Sequence, residues 1–189
     1  MPRREIPIVA GQYYHLFNRG NQKENIFFEK ENYYYFIKKF RFYIEKYVEI
    51  LCYCLMPNHY HFLLKPFDDK FSKKMQNFTI SYVKSINKKY KRVGHLFQGN
   101  FKAKLVEDNN VLLHLTRYIH LNPVHANLVR ISEDWEFSSY REYIGQKKGK
   151  LPQPDFILSQ FTDPDEYKEF VESYQVEDFD IVKEYVLED

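Results

Sequence analysis

Cysteine is nearly absent: the 189-residue chain has two, Cys52 and Cys54. That excludes a disulfide-stapled scaffold, so the fold has to rest on a buried core. Long apolar runs are missing too. The longest strictly apolar stretch, Ile50 to Met56, falls far short of the roughly 20 residues that span a bilayer. The opening MPRREIPIVAGQ is basic and lacks the apolar stretch of a secretory signal. No GxxxxGK phosphate loop is present, so a P-loop nucleotide site is not expected. No internal repeat or low-complexity tract stands out. What remains, 19% aromatic and 29% charged residues, is the composition of a folded chain. The length fits one domain with room for an appendage. The expectation is a cytoplasmic protein without a membrane segment.

Acidic residues are absent locally. From Lys70 to Lys104 there are ten basic residues and no acidic one. The net charge of +2 conceals a wider asymmetry. Residues 1–159 carry 26 Lys and Arg against 15 Asp and Glu, a net of +11, while residues 160–189 carry 2 against 11, a net of −9. A run of one sign is a candidate footprint for a polyanion such as nucleic acid. The plainer reading is a solvated helix face. The 17 Tyr and 17 Phe can stack on unpaired bases, which suits single strands. A biased genome produces the same enrichment.

Spacing sets the order of elements. Gln12 to Asn18 is rich in Tyr and Phe and ends at Arg19-Gly20, which predicts a strand and a turn. Tyr33, Ile37, Phe40, Ile44 and Tyr47 fall on one helical face. Val48 to Met56 is a strand-length apolar run, Pro57-Asn58 a turn pair, and His59 to Lys65 a second strand, so a hairpin is predicted. Phe71, Met75, Phe78, Tyr82, Ile86 and Tyr90 define a second amphipathic helix. Its polar face carries much of the basic stretch, including Lys84 and Lys88. Phe101 to Val106 reads as another strand. Asp108 or Asn109 can cap a helix that starts near Val111 and ends close to Asn122, ahead of Pro123. Strand, helix, strand, strand, helix, strand and a further helix match the split βαβ pattern. The predicted fold is α+β, a ferredoxin-like (RRM-like) antiparallel sheet with helices on one face, plus an added helix. Residues 1–145 form the main domain, 146–154 a linker by composition, and 155–189 an acidic C-terminal helical extension. Two roles are open for the extension. It can swing on its linker and compete with weakly bound strands for a basic groove, or it can pack as an acidic helix.

His59 and His61 sit two apart on a predicted strand, so both imidazoles share one face. Such a pair can grip a divalent cation if a third ligand arrives from elsewhere; a bare His-x-His is also compatible with ordinary hydrogen bonding. Tyr118 and Asn122 are one helical turn apart on one face. A tyrosine can act as a covalent nucleophile, and an asparagine carbonyl can complete a metal's coordination. Taken singly, the tyrosine reads as packing and the asparagine as a helix end. Cys52 and Cys54 beside the histidines raise a zinc site, but side chains on one face project in parallel, and the thiols read as small core side chains. His114, four residues before Tyr118, is a conceivable proton acceptor. His15, His95 and His120 read as structural or surface residues.

The combined motifs carry a resemblance. MPNHYHFLL at Met56 to Leu64 resembles the HUH motif of the single-tyrosine transposases, and RYIHLNPVHANLV at Arg117 to Val129 resembles their catalytic-tyrosine helix. HLFNRGN at His15 to Asn21, LFQGNFKAKLVED at Leu96 to Asp108 and WEFSSYREYIG at Trp135 to Gly145 resemble stretches of the REP-associated tyrosine transposases. The resemblance runs from about Gly11 to Gly145. It implies that His59, His61 and Asn122 bind a divalent metal, Mg²⁺ or Mn²⁺, and that Tyr118 is the nucleophile. It also implies DNA contacts at Arg19, Lys102 and Lys104, to which the basic helix adds Lys84 and Lys88. His125 stands where the family usually has Arg, and Asn127 where it often has Gly; Asn still tolerates a left-handed helix cap. The implied activity is cleavage and rejoining of single-stranded, hairpin-associated DNA by a monomer or homodimer through a 5′-phosphotyrosine. A phenol's usual pKa near 10 means that nucleophilicity needs help from a metal or a base. The rival is a non-catalytic single-stranded nucleic-acid-binding module on the same fold, binding through sheet aromatics.

Overall fold

The computed structural model describes residues 7–186. Residues 1–6, which include the basic opening, and residues 187–189 of the acidic end lie outside the described residues. Strand β1 (Tyr13–Arg19) leads to helix α1 (Lys30–Ile44), and the hairpin β2 (Val48–Met56) and β3 (His59–Pro66) follows. Helix α2 (Phe71–Lys89), strand β4 (Lys102–Val106) and helix α3 (Asn109–His125) complete the main unit. Four short helices come after: α4 (Tyr140–Tyr143), α5 (Asp155–Leu158), α6 (Pro164–Glu172) and α7 (Phe179–Val182).

The four strands form one sheet in the order β2-β3-β1-β4, antiparallel throughout. This is the split βαβ topology that the element order predicts. Met56 pairs with His59 across the Pro57-Asn58 turn. At the far end of β2 the register shifts between Ile50 and Cys52. The bulge gives Leu51 and Cys52 the same face; both join the α3 side of the core while Ile50 joins the α1/α2 side. The nearly unbroken burial of β2 reflects a sheet covered on both faces.

Alternation divides the sheet's side chains between two cores. Tyr14, Leu16, Tyr60, Phe62 and Leu64 face α1 and α2, where they meet Phe36, Phe40, Phe78 and Tyr82. Phe40 and Phe62 stack with ring centroids 4.4 Å apart. Truncating either to Ala would cost about 3–5 kcal/mol, as for a large core side chain. On the other face Cys54, Met56 and Leu63 pack against Leu112, Leu115 and Ile119 of α3. The two cysteines are free and buried, and burial pushes both thiols up from their ordinary pKa. They are core side chains, as expected from sequence.

Asp108 caps α3 by accepting the Val111 N–H at 3.0 Å. The helix does not stop near Asn122. It runs through Pro123 to His125, because a proline in the last turns removes one intrahelical donor while its neighbours Leu121 and Asn122 stay buried. Termination comes at Asn127, whose φ of 55° is left-handed. Asn127 N–H donates to Val124 O and Leu128 N–H to Pro123 O, both at 2.9 Å. That pair of bonds is a Schellman closure, so Asn127 does serve as the left-handed cap.

The segment 146–154 is not a free tether. Leu151 and Pro152 are buried, and Gln153 N–H donates to Ile50 O at 2.7 Å. The acidic extension is packed as well, which overturns the swinging alternative. It forms three short helices rather than one, with Asp163 capping α6 through the Asp165 and Glu166 N–H groups. Ile157, Tyr167, Val171, Val182 and Val186 are buried in the α3 core. Arg117, its side chain only 4% exposed, pairs with Asp178 at 2.6 Å. Its guanidinium also donates to Phe170 O at 3.1 Å and lies 4.3 Å over the Phe170 ring.

Candidate active site

The sheet register assembles the candidate residues. In β3, His59 and His61 project to the α3 face, opposite the intervening Tyr60. Their rings meet edge to face at 4.9 Å. On β1, Phe17 pairs with His61 and Arg19 with His59; on β4, Lys102 pairs with Phe17 and Lys104 with His15. Directly opposed residues share a face, so Arg19, Lys102 and Lys104 lie on the side of the histidines. Gly20 follows because a Cβ there would fall 1.9 Å from the Glu24 carbonyl oxygen. The end of β1 is tied to the hairpin by Gly20 N–H, which donates to Asn58 O at 2.7 Å.

Helix α3 brings the remaining groups across. His59 Nε2 is 3.0 Å from Asn122 Oδ1, so the three ligand candidates come together. The half-buried Tyr118 presents its ring edge-on to His61 with centroids 6.0 Å apart. His125 lies 6.5 Å from Tyr118 and 5.0 Å from Tyr174, and Phe179 of the extension is 6.3 Å from Tyr118. His114 turns elsewhere: its Nδ1 accepts from Arg117 at 2.8 Å and its ring meets Phe170. Lys84 and Lys88 are exposed on α2, across the sheet from the histidines.

The donor set fits a cation. Asn58 Oδ1 lies 2.6 Å from His59 Nδ1, and an amide oxygen only accepts, so Nδ1 holds the proton of the neutral ring. That leaves His59 Nε2 and Asn122 Oδ1 as two lone pairs 3.0 Å apart, a repulsion that a shared cation relieves. A second proton on the ring does the same, as does an Asn122 amide turned to present its N–H to Nε2. His61 is fully buried, and its Nε2 has no hydrogen-bond partner among the described residues. A buried bare nitrogen is costly unless something ligates it. Burial, with smaller contributions from His59 and His15, holds the His61 pKa well below the usual imidazole value. It is therefore neutral and ligand-competent at pH 7. No cluster of three or more His, Cys, Asp or Glu able to hold a metal occurs among the described residues, which leaves no Cys–His zinc site; the set here is two imidazoles and an amide.

One participant was missed from sequence. His15 is fully buried and its Nε2 lies 2.9 Å from His61 Nδ1. Its own Nδ1 is 2.8 Å from the Tyr185 carbonyl oxygen. Burial lowers its pKa to about 4, the Tyr185 bond opposing and Lys104 adding to the shift. The available signal was strand order: in the predicted topology β1 borders β3, and alternation puts residues 15, 17 and 19 on one face. His120, read as structural or surface, is structural. Its Nδ1 is 2.6 Å from Tyr167 Oη and its Nε2 2.8 Å from Ser139 Oγ, all buried.

A known protein shares this fold. A solved structure of a REP-associated tyrosine transposase bound to a REP hairpin superposes with a TM-score of 0.61 at 16% identity, covering 81% of this chain and 98% of that one. At that identity the likeness speaks for the fold. Among curated proteins none matches in sequence. The family described as "Transposase IS200 like" matches residues 8–122, a span that takes in both histidines and Tyr118 and ends on Asn122. The chain belongs to the IS200-like transposase family.

Proposed function

We propose that this protein is a single-strand DNA endonuclease and strand transferase that uses Tyr118 as its nucleophile. The observation that carries the reading is the convergence of the Tyr118 ring on His61, beside the His59–Asn122 contact at 3.0 Å. His59, His61 and Asn122 would hold a divalent cation such as Mg²⁺ or Mn²⁺. When bound, such an ion supplies charge neutralisation at the scissile phosphate. Tyr118 Oη attacks phosphorus and its proton passes to solvent. The bond to the 3′ oxygen breaks and that oxygen takes a proton from solvent, giving a 5′-phosphotyrosine and a free 3′ hydroxyl. Attack of another 3′ hydroxyl on that phosphotyrosine restores a phosphodiester and the phenol. One phosphodiester is exchanged for another, so no nucleotide hydrolysis is required.

Arg19, Lys102 and Lys104 lie on the catalytic side of the sheet, where a strand approaching Tyr118 would pass. Lys84 and Lys88, on the opposite face, would hold a more distant part of the DNA. Hairpin DNA as the substrate class is supported by the REP hairpin in the solved relative of this fold. The RRM-like alternative requires an exposed sheet face for base stacking. Here both faces are covered, by α1 and α2 on one side and by α3 with the extension on the other.

The test is nicking of a panel of hairpin oligonucleotides with single-stranded flanks, read on denaturing gels for cleavage and for a protein–DNA adduct. Tyr118→Phe should abolish the adduct and leave hairpin binding largely intact. An adduct that persists in Tyr118→Phe would assign the chemistry to another residue.

A further inference from the structure

The extension's last described turn reaches under the histidine pair. The Tyr185 carbonyl oxygen lies 2.8 Å from His15 Nδ1, and His15 Nε2 lies 2.9 Å from His61 Nδ1. A carbonyl oxygen only accepts, so the proton of neutral His15 sits on Nδ1. His15 Nε2 is then a bare acceptor, and the hydrogen of its bond to His61 has to come from His61 Nδ1. His61 is left with a bare Nε2, the buried atom without a hydrogen-bond partner among the described residues. Each bond dictates the next, and the chain of protons ends on the buried lone pair of His61 Nε2.

We infer that His15 is a positioning residue: it locks His61 in the tautomer that presents Nε2 to a cation, and the Tyr185 backbone carbonyl locks His15 in turn. This rests on the metal-site reading of His59, His61 and Asn122. Both rings are fully buried and stack at 5.1 Å with planes 15° apart, so the relay fixes the plane of His61 as well as its proton. Without an acceptor at Nδ1, a buried imidazole gains by moving its proton toward any alternative acceptor or by turning its ring, and either withdraws the ligand. Partners that orient a metal-binding histidine through its second nitrogen are generally worth about 10–100-fold in metal affinity. The acidic extension thereby acquires a part in building the site that its charge alone does not reveal.

Two measurements on the full chain test the inference. In metal-free, ¹⁵N-labelled protein, long-range ¹H–¹⁵N correlation distinguishes protonated from bare ring nitrogens. His15 and His61 should both show a protonated Nδ1 and a bare Nε2; a proton on His61 Nε2 overturns the relay. The second is Mn²⁺ titration followed by the electron paramagnetic resonance of the free ion. His15→Leu should weaken binding about 10–100-fold, and His15→Gln, whose amide oxygen can accept from His61 Nδ1, should recover most of the loss. Unchanged Mn²⁺ affinity in a folded His15→Leu protein overturns the inference and leaves the metal site standing. No Mn²⁺ binding by the wild-type protein overturns the metal reading itself, and the positioning role falls with it. Should His15→Leu fail to fold, the tautomers of the wild-type protein and the His15→Gln titration decide.

Discussion

Lowering the pH from 7 to 4 should cost this protein about 3 kcal/mol through His120 alone. The residue is fully buried, and that burial depresses its pKa from 6.5 to about 3. One proton assignment satisfies its network. Tyr167 O–H donates to Nδ1, Nε2–H donates to Ser139 Oγ, and Ser139 donates to the Tyr53 carbonyl at 3.2 Å. Adding a proton to Nδ1 would break the Tyr167 bond and place a charge among Tyr140, Tyr143 and Tyr167. The sign follows from linkage. Above pH 6.5 neither state binds the proton; between pH 6.5 and about 3 only the unfolded chain does, so stability falls with pH across that window. The slope approaches 1.4 kcal/mol per pH unit, which amounts to about 3 kcal/mol by pH 4. Against a typical total of roughly 5–15 kcal/mol, that is a large fraction. Urea unfolding at pH 7, 6, 5 and 4, followed by Trp135 fluorescence, measures it. His120→Gln keeps a donor and an acceptor but cannot titrate. Its stability should therefore drop less than the wild type's on acidification, by about 3 kcal/mol at pH 4. Parallel losses in the two proteins would refute the assignment of a buried neutral His120.

Other outcomes follow from the same geometry. Asp178→Ala strips the carboxylate from buried Arg117 and should destabilise the fold by about 2 kcal/mol, less than the roughly 3–5 of a fully buried pair because Asp178 is 22% exposed; an unchanged urea midpoint would dismiss the clamp. His59→Ala and His61→Ala should lose cleavage while remaining folded, and EDTA should stop cleavage reversibly, Mg²⁺ or Mn²⁺ restoring it; full activity in EDTA would contradict the metal reading. Single-strand affinity should fall with salt at a slope of about −0.7 per neutralised phosphate, and flat affinity would reduce the basic face to a solvated surface. Lys84→Ala with Lys88→Ala should weaken hairpin binding yet leave cleavage at saturating DNA unchanged, since both lie across the sheet from Tyr118. Slower cleavage under those conditions would oppose that division.

The sheet and its helices were legible because each rests on a local pattern. The period of two across His59 to Lys65 and the helical stripe from Phe71 to Tyr90 need no partner to be seen. The i, i+2 and i, i+4 spacings put the three candidate ligands on two shared faces, while the family resemblance implied their role as a set. Their meeting was not legible, because the 3.0 Å contact between His59 and Asn122 depends on how α3 crosses the sheet. The end of α3 was misplaced because the local preference of the residue before a proline was overridden by burial. His15 stayed hidden because His61, to which it hydrogen-bonds, lies 46 residues away along the chain. For the extension, charge left a free competitor and a packed helix both open, and its Tyr167, Val171, Val182 and Val186 decide for packing by completing the core over α3; that one of its backbone carbonyls touches the histidine site had no local signal.

The most direct test of the account is to find where DNA becomes attached. Wild-type protein is incubated with a cleavable hairpin substrate and Mn²⁺, the adduct is digested with nuclease and protease, and the modified peptide is sequenced by mass spectrometry. The account predicts a single nucleotide-phosphate modification, on Tyr118. A modification on any other tyrosine, or cleavage that leaves no tyrosine modified at all, would contradict it.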